Sequence, residues 1–135
     1  MVATTGAQLL PHEAVRTLIA ELLPMTTILT PNVPEAKLLA KDAGQSFEDI
    51  RSLEDLKQLA ELIATLGPRY VLLKGGHLPL SREGIVANGD ADRHVVVDVL
   101  YGKEEKRHWV YESEYIKSRN THGTGCSLAC KLNYA

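Results

Sequence analysis

The sequence predicts an α/β fold built on a mostly parallel sheet with a late antiparallel hairpin. Three observations carry this. Amphipathic helical stretches alternate with short apolar strands over the first half of the chain. Residues 70–73 form a continuous apolar run, Tyr-Val-Leu-Leu, of the kind that is covered on both faces. A valine-rich stretch, His94 to Leu100, is followed by a turn signal and a second β-prone run.

Taken in order, the first helix starts at Pro11. Ala14, Val15, Leu18, Ile19, Leu22 and Leu23 share a face, Glu13 suits the positive end of the helix dipole, and Pro24 ends the run. Residues 26–30 read as a strand ending at Pro31-Asn32, and a helix over Val33 to Ala43 follows, with Gly44 as its C′ residue. A short helical piece is expected from Ser46. The helix after Ser52 places Leu53, Leu56, Leu59, Ala60, Ile63 and Leu66 on one face, with Ser52 and Asp55 as a capping pair and Gly67-Pro68 as its stop. Residues 78–93 read as a surface loop. Tyr101 to Glu104 turns the hairpin, Arg107 to Tyr111 returns it, and Trp109 with the neighbouring tyrosines packs within it. A helix through Cys130 is expected after residues 120–126.

Composition excludes several classes. With 44% hydrophobic and 24% charged residues the chain reads as globular rather than disordered. A net charge of −2 leaves no basic surplus for a nucleic-acid backbone or an anionic membrane. No apolar run is long enough for a membrane span, and residues 1–6 lack a signal-peptide pattern, so a cytoplasmic protein is expected. Cys126 and Cys130, the two cysteines, do not suggest a disulfide framework. His122, Cys126 and Cys130 could share a helical face as a soft-metal trio, but the glycine pattern explains the region better. His12, His94 and His108 show no evident partners and are expected at the surface.

Three stretches carry chemistry. In Gly123-Thr124-Gly125-Cys126, glycines flanking a threonine let backbone N–H groups converge on an anion at a helix start, where a thiol also tends toward thiolate. The same pattern fits an ordinary glycine-rich loop with a small buried cysteine. Asn32-Val33-Pro34-Glu35 fits a helix cap best on its spacing; the functional alternative is a carboxylate and an amide holding magnesium waters beside a triphosphate. Lys74-Gly75-Gly76-His77 follows a buried strand, where α/β sheets bind ligands. Glycines there allow close approach of a nucleotide, and a lysine can meet phosphate as a point charge. A tight turn with a solvated lysine reads equally well.

These stretches, in this order, resemble the hydroxymethylpyrimidine/phosphomethylpyrimidine kinases of the ribokinase-like superfamily. Thr30 to Ala36 is similar to their Asn-x-x-Glu motif, Tyr70 to His77 to their Lys-Gly-Gly-His segment, and Asn120 to Ala129 to their anion-hole signature. The resemblance runs from Met1 to about Ala129. It implies a three-layer α/β/α fold and transfer of the γ-phosphoryl group of MgATP to 4-amino-5-hydroxymethyl-2-methylpyrimidine and then to its monophosphate, on the way to thiamine diphosphate. By position, Gly123, Thr124 and Gly125 would form the anion hole. Cys126 would stand where related sugar kinases carry an aspartate base, either taking the proton or shaping the pocket. Lys74, Gly75 and Gly76 would meet ATP, and Asn32 with Glu35 would order Mg2+ through bound water. A homodimer is implied, with a small molecule as substrate. A pyridoxal-type kinase of the same superfamily, or a non-catalytic product, are the alternatives.

The chain departs from the family pattern at both ends. An Asp-Pro-Val segment precedes the counterpart of Met1 in the family, and the family's N-terminal half and last helices have no counterpart. Residues 130–135 depart from the expected small-residue helix. The expectation is a single partial kinase domain over residues 1–135, poorly stable and inactive by itself.

Overall fold

The computed structural model describes residues 10–76, 78–87, 89 and 93–114. Helix α1 spans His12–Thr17 and continues as a π-helical turn, Leu18–Leu22, and a 3₁₀ turn, Leu23–Met25. Pro24 therefore lies inside a helical run rather than ending it. It occupies the first turn of the 3₁₀ piece, where a missing N–H costs nothing. Strand β1 is short, Ile28–Leu29, and α2 spans Val33–Asp42. No helix forms from Ser46, and the chain runs irregularly to Arg51. Helix α3 spans Leu53–Ala64, and strand β2 spans Tyr70–Lys74. Strands β3, Val95–Gly102, and β4, Arg107–Glu114, form the expected hairpin.

The sheet order is β1-β2-β3-β4. β1 and β2 are parallel, whereas β3 pairs antiparallel with both β2 and β4, so the described strands make a mixed sheet. The parallel pair follows from the intervening α2 and α3, which return the chain to the start of the sheet. The β3–β4 turn lies at Lys103–Lys106, later than the predicted Tyr101–Glu104. Tyr101 and Gly102 stay paired with His108 and Arg107, which extends the ladder.

The core lies where the helices meet one sheet face. Ala36, Leu39 and Ala40 of α2 join Leu56, Leu59, Ala60 and Ile63 of α3, against Val71, Leu73, Val97 and Val99. Each buried leucine or isoleucine here contributes about 1.5–3 kcal/mol. Alternation along the strands sends Tyr70, Leu72, Lys74, Asp98, Leu100 and Trp109 to the opposite face. Gly67 lets the chain leave α3, because with φ of 140° an added Cβ would meet the Pro24 backbone nitrogen at 2.6 Å.

The stretch read as a surface loop is tied down at Leu80. Its side chain is fully buried, and its backbone bridges both Val86 and Val95. Two histidines expected without partners have them. His12 Nδ1 lies 2.8 Å from Asp42 Oδ1, joining α1 to α2, and His108 Nε2 lies 3.0 Å from Glu61 Oε1, joining β4 to α3. Tertiary packing supplies both partners from positions 30 or more residues away, a distance at which sequence spacing is silent. His94 is exposed as expected. Trp109 is half-buried in the hairpin, with the Arg107 guanidinium 5.4 Å from its ring centre.

Candidate functional site

Two motifs meet at the C-terminal edge of the parallel pair. β1 ends at Leu29, and the chain continues extended through Pro31 to Asn32. There it makes an isolated parallel bridge to Lys74, with the Lys74 N–H donating to the Pro31 carbonyl at 2.9 Å. That bridge sets the first turn of α2 beside the last residue of β2. A lysine and a helix N-terminus thus share one sheet edge, an arrangement that favours a negative group.

The helix end is internally capped. Asn32 Oδ1 accepts the Glu35 N–H at 2.8 Å, and Glu35 Oε2 accepts the Asn32 N–H at 3.0 Å. This reciprocal box forms because the short Asn side chain places an acceptor oxygen within reach of the Glu35 N–H and Glu stands three residues on. Each carboxylate or amide oxygen has more than one lone pair, so the cap leaves capacity to accept from a metal-bound water. Among the described residues no group of three or more His, Cys, Asp or Glu side chains could hold a metal ion directly. One carboxylate and one amide, both engaged in the cap, could meet a magnesium ion through bound water.

The two glycines after β2 differ. Gly75 is buried, and a Cβ there would lie 2.1 Å from the Val97 carbonyl oxygen, so only glycine lets β2 leave the sheet this close to β3. Its N–H donates to Asp98 Oδ1 at 3.0 Å and points into the protein. Gly76 is exposed, and its nearest neighbour to an added Cβ is Val96 Cγ1 at 3.9 Å. Of the pair, Gly76 is the one open to a ligand.

Asp98 was not singled out by the sequence. The signal available was one acidic residue interrupting Val95-Val96-Val97 and Val99-Leu100. It lies directly across from Lys74 in the β2–β3 register. Burial pushes its carboxyl above the ordinary range, opposed by the Gly75 N–H and the Lys74 charge.

An apolar cavity of about 190 Å³ lies between α1, β1 and α2, walled by Val15, Leu18, Leu29, Leu38 and Leu39. Glu35 is its one charged lining residue among those described. His77 and the whole Gly123, Thr124, Gly125, Cys126 stretch lie outside the described residues, as does the expected helix through Cys130.

A phosphomethylpyrimidine kinase family model matches residues 1–133. A Schizosaccharomyces pombe protein assigned to the hydroxymethylpyrimidine/phosphomethylpyrimidine kinases is 44% identical over 132 residues, covering 98% of this chain and 23% of the relative. The hydroxymethylpyrimidine/phosphomethylpyrimidine kinase of Bacillus subtilis is 37% identical over 132 residues, covering 98% of this chain and 41% of the relative. Among solved structures, the ADP complex of Bacillus subtilis pyridoxal kinase matches with a TM-score of 0.68 and 30% identity, covering 96% of this chain and 42% of that one. The chain thus spans less than half the length of each of these proteins.

Proposed function

From the premise that this chain belongs to the phosphomethylpyrimidine kinase family, we propose that it forms part of a kinase for 4-amino-5-hydroxymethyl-2-methylpyrimidine and its monophosphate, serving thiamine diphosphate synthesis. The observation that carries the reading is the Asn32–Lys74 bridge, which brings two of the family's motifs to one sheet edge. Lys74 meets the phosphates of ATP there as a point charge, and Gly76 lets the nucleotide approach the backbone. Gly75 supports them from within. Asn32 and Glu35 are the residues that would hold Mg2+ through bound water, and the ion would supply charge neutralisation to the phosphates.

In the reaction the hydroxymethyl oxygen of the substrate bonds to the γ-phosphorus as the bond to the β,γ-bridging oxygen breaks. ADP leaves, and the hydroxyl proton is lost. The Gly123, Thr124 and Gly125 amides offer hydrogen bonds to the phosphoryl oxygens in transit. Cys126, the next residue in sequence, would take the proton or shape the pocket. Charge and position do most of the work in such transfers. No described helix is long and apolar enough to cross a membrane. A cytoplasmic homodimer working on a small molecule, with no nucleic-acid or membrane partner, accords with the charge balance and the family.

The likeness to a pyridoxal kinase structure keeps a second substrate in view. A chimera in which this chain replaces the matching 132 residues of the Bacillus subtilis kinase tests both. ATP-dependent phosphorylation of the hydroxymethylpyrimidine in preference to pyridoxal is expected. Preference for pyridoxal would transfer the assignment to the second reading. A folded chimera that phosphorylates neither would defeat both.

A further inference from the structure

We propose that Asp98 is a positioning residue for nucleotide binding, whose carboxylate oxygen clamps the Gly75 N–H and so fixes the Lys74–Gly76 turn. This rests on the kinase reading above and adds a residue to its site. The turn has three restraints. Lys74 is fixed by its N–H to Pro31 at 2.9 Å. Gly75 is pressed against the Val97 carbonyl, which leaves no room for a side chain. Its N–H is then aimed by Asp98 Oδ1 at 3.0 Å. The third restraint acts on the peptide between Lys74 and Gly75 itself, holding its N–H toward β3. With that peptide held, the next presents Gly76 outward.

The carboxylate is held for this purpose at a cost. Asp98 stands on a strand otherwise made of Val95, Val96, Val97, Val99 and Leu100, and burial disfavours its charge. The titratable side chains in register with it are Lys74 on β2 and Tyr111 on β4. No salt bridge within 4 Å joins Asp98 to Lys74 among the described residues. The hydrogen bond to Gly75 is therefore its defined contact, and an acceptor oxygen, more than a negative charge, is what the turn uses.

The test uses the whole chain, labelled with 15N, and variants Asp98→Asn and Asp98→Ala. Asn keeps the acceptor oxygen and Ala removes it. In the wild-type chain the Gly75 amide resonance is expected to move with pH as Asp98 ionises. In Asp98→Asn it stays constant with pH. Titration with ATP is expected to perturb Lys74, Gly75 and Gly76, with Asp98→Ala weakening binding at least fivefold and Asp98→Asn staying within twofold of wild type. Rescue by Asn separates positioning from bulk stability, which is read independently from the thermal unfolding midpoint. Asp98→Ala binding ATP as wild type does, or Asp98→Asn losing as much as Asp98→Ala, would overturn the proposal. No ATP-induced shift in the wild-type chain would defeat the nucleotide reading beneath it, while a Gly75 amide that follows Asp98 would still uphold the clamp.

Discussion

An added Cβ at Gly75 would stand 2.1 Å from the carbonyl oxygen of Val97, well inside any real contact between those atoms. Backbone lies on both sides, so neither can yield by rotating a side chain. Gly75→Ala should therefore destabilise the fold by about 2–3 kcal/mol, at the upper end of ordinary overpacking. Gly76→Ala should change stability by less than about 0.5 kcal/mol, because its surroundings are open. Urea denaturation of both variants measures the contrast. In an active chimera, Gly76→Ala should raise KM for ATP while leaving the unfolding midpoint alone. Equal midpoints for the two variants would refute the assignment of a packing glycine and a ligand-facing one.

Glu35 has two duties in this reading, and Glu35→Gln separates them. Glutamine preserves the capping box, since its side-chain oxygen accepts the Asn32 N–H as Glu35 Oε2 does at 3.0 Å. Stability should fall by less than about 0.5 kcal/mol, against about 1 kcal/mol for Asn32→Ala, which removes the cap itself. Turnover by the chimera should fall at least tenfold and recover in part at raised Mg2+. A Glu35→Gln chimera with unchanged magnesium dependence would leave Glu35 as a cap alone.

Two carboxylates should give opposite pH dependences. Asp55 is held below its ordinary value, first by the Arg51 N–H at 2.8 Å and also by Ser52. A depressed folded pKa means the unfolded chain binds its proton first as pH falls. Asp55 then contributes stability above about pH 3.9 that is lost through its lower folded pKa. Asp98 is raised by burial. Its folded form holds the proton longer, so its contribution is present below about pH 3.9 and is lost as pH rises through its folded pKa. At neutral pH Asp55→Asn should lower the unfolding midpoint and Asp98→Asn should leave it equal or higher. Thermal unfolding at pH 7 and pH 3 checks both, and a lower midpoint for Asp98→Asn at pH 7 would contradict the burial penalty.

Local chemistry was legible in the sequence, and long-range geometry was not. The capping boxes at Asn32–Glu35 and Ser52–Asp55 could be read because each is a four-residue pattern. The apolar face of α3 was read from its 3.6-residue period. What escaped depended on partners distant in sequence. Leu80 in an expected loop is buried because Val86 and Val95 bridge to it. Asp98 matters because Gly75, 23 residues earlier, turns its N–H toward it. The segment expected as a helix from Ser46 is held extended at its end by a distant partner, since the Arg51 carbonyl accepts the Val86 N–H at 2.8 Å.

Lys74 offers the sharpest separation of fold from function, because its backbone and side chain do different things. Its N–H closes the bridge to Pro31 at 2.9 Å, and any residue but proline preserves that bond. Its side chain, half-buried at the edge, carries the charge that the proposed site uses. Lys74→Met keeps the aliphatic stem and removes only the charge. It should leave the unfolding midpoint within experimental scatter, and should cost the chimera about 1.5–3 kcal/mol in kcat/KM for ATP, the range for a charged hydrogen bond. That is roughly a tenfold to hundredfold loss. Lys74→Arg should recover only part of it, since a planar fork does not replace a compact ammonium at a site built for one. A Lys74→Met chimera as active as its parent would reduce the lysine to a solvated side chain on a tight turn.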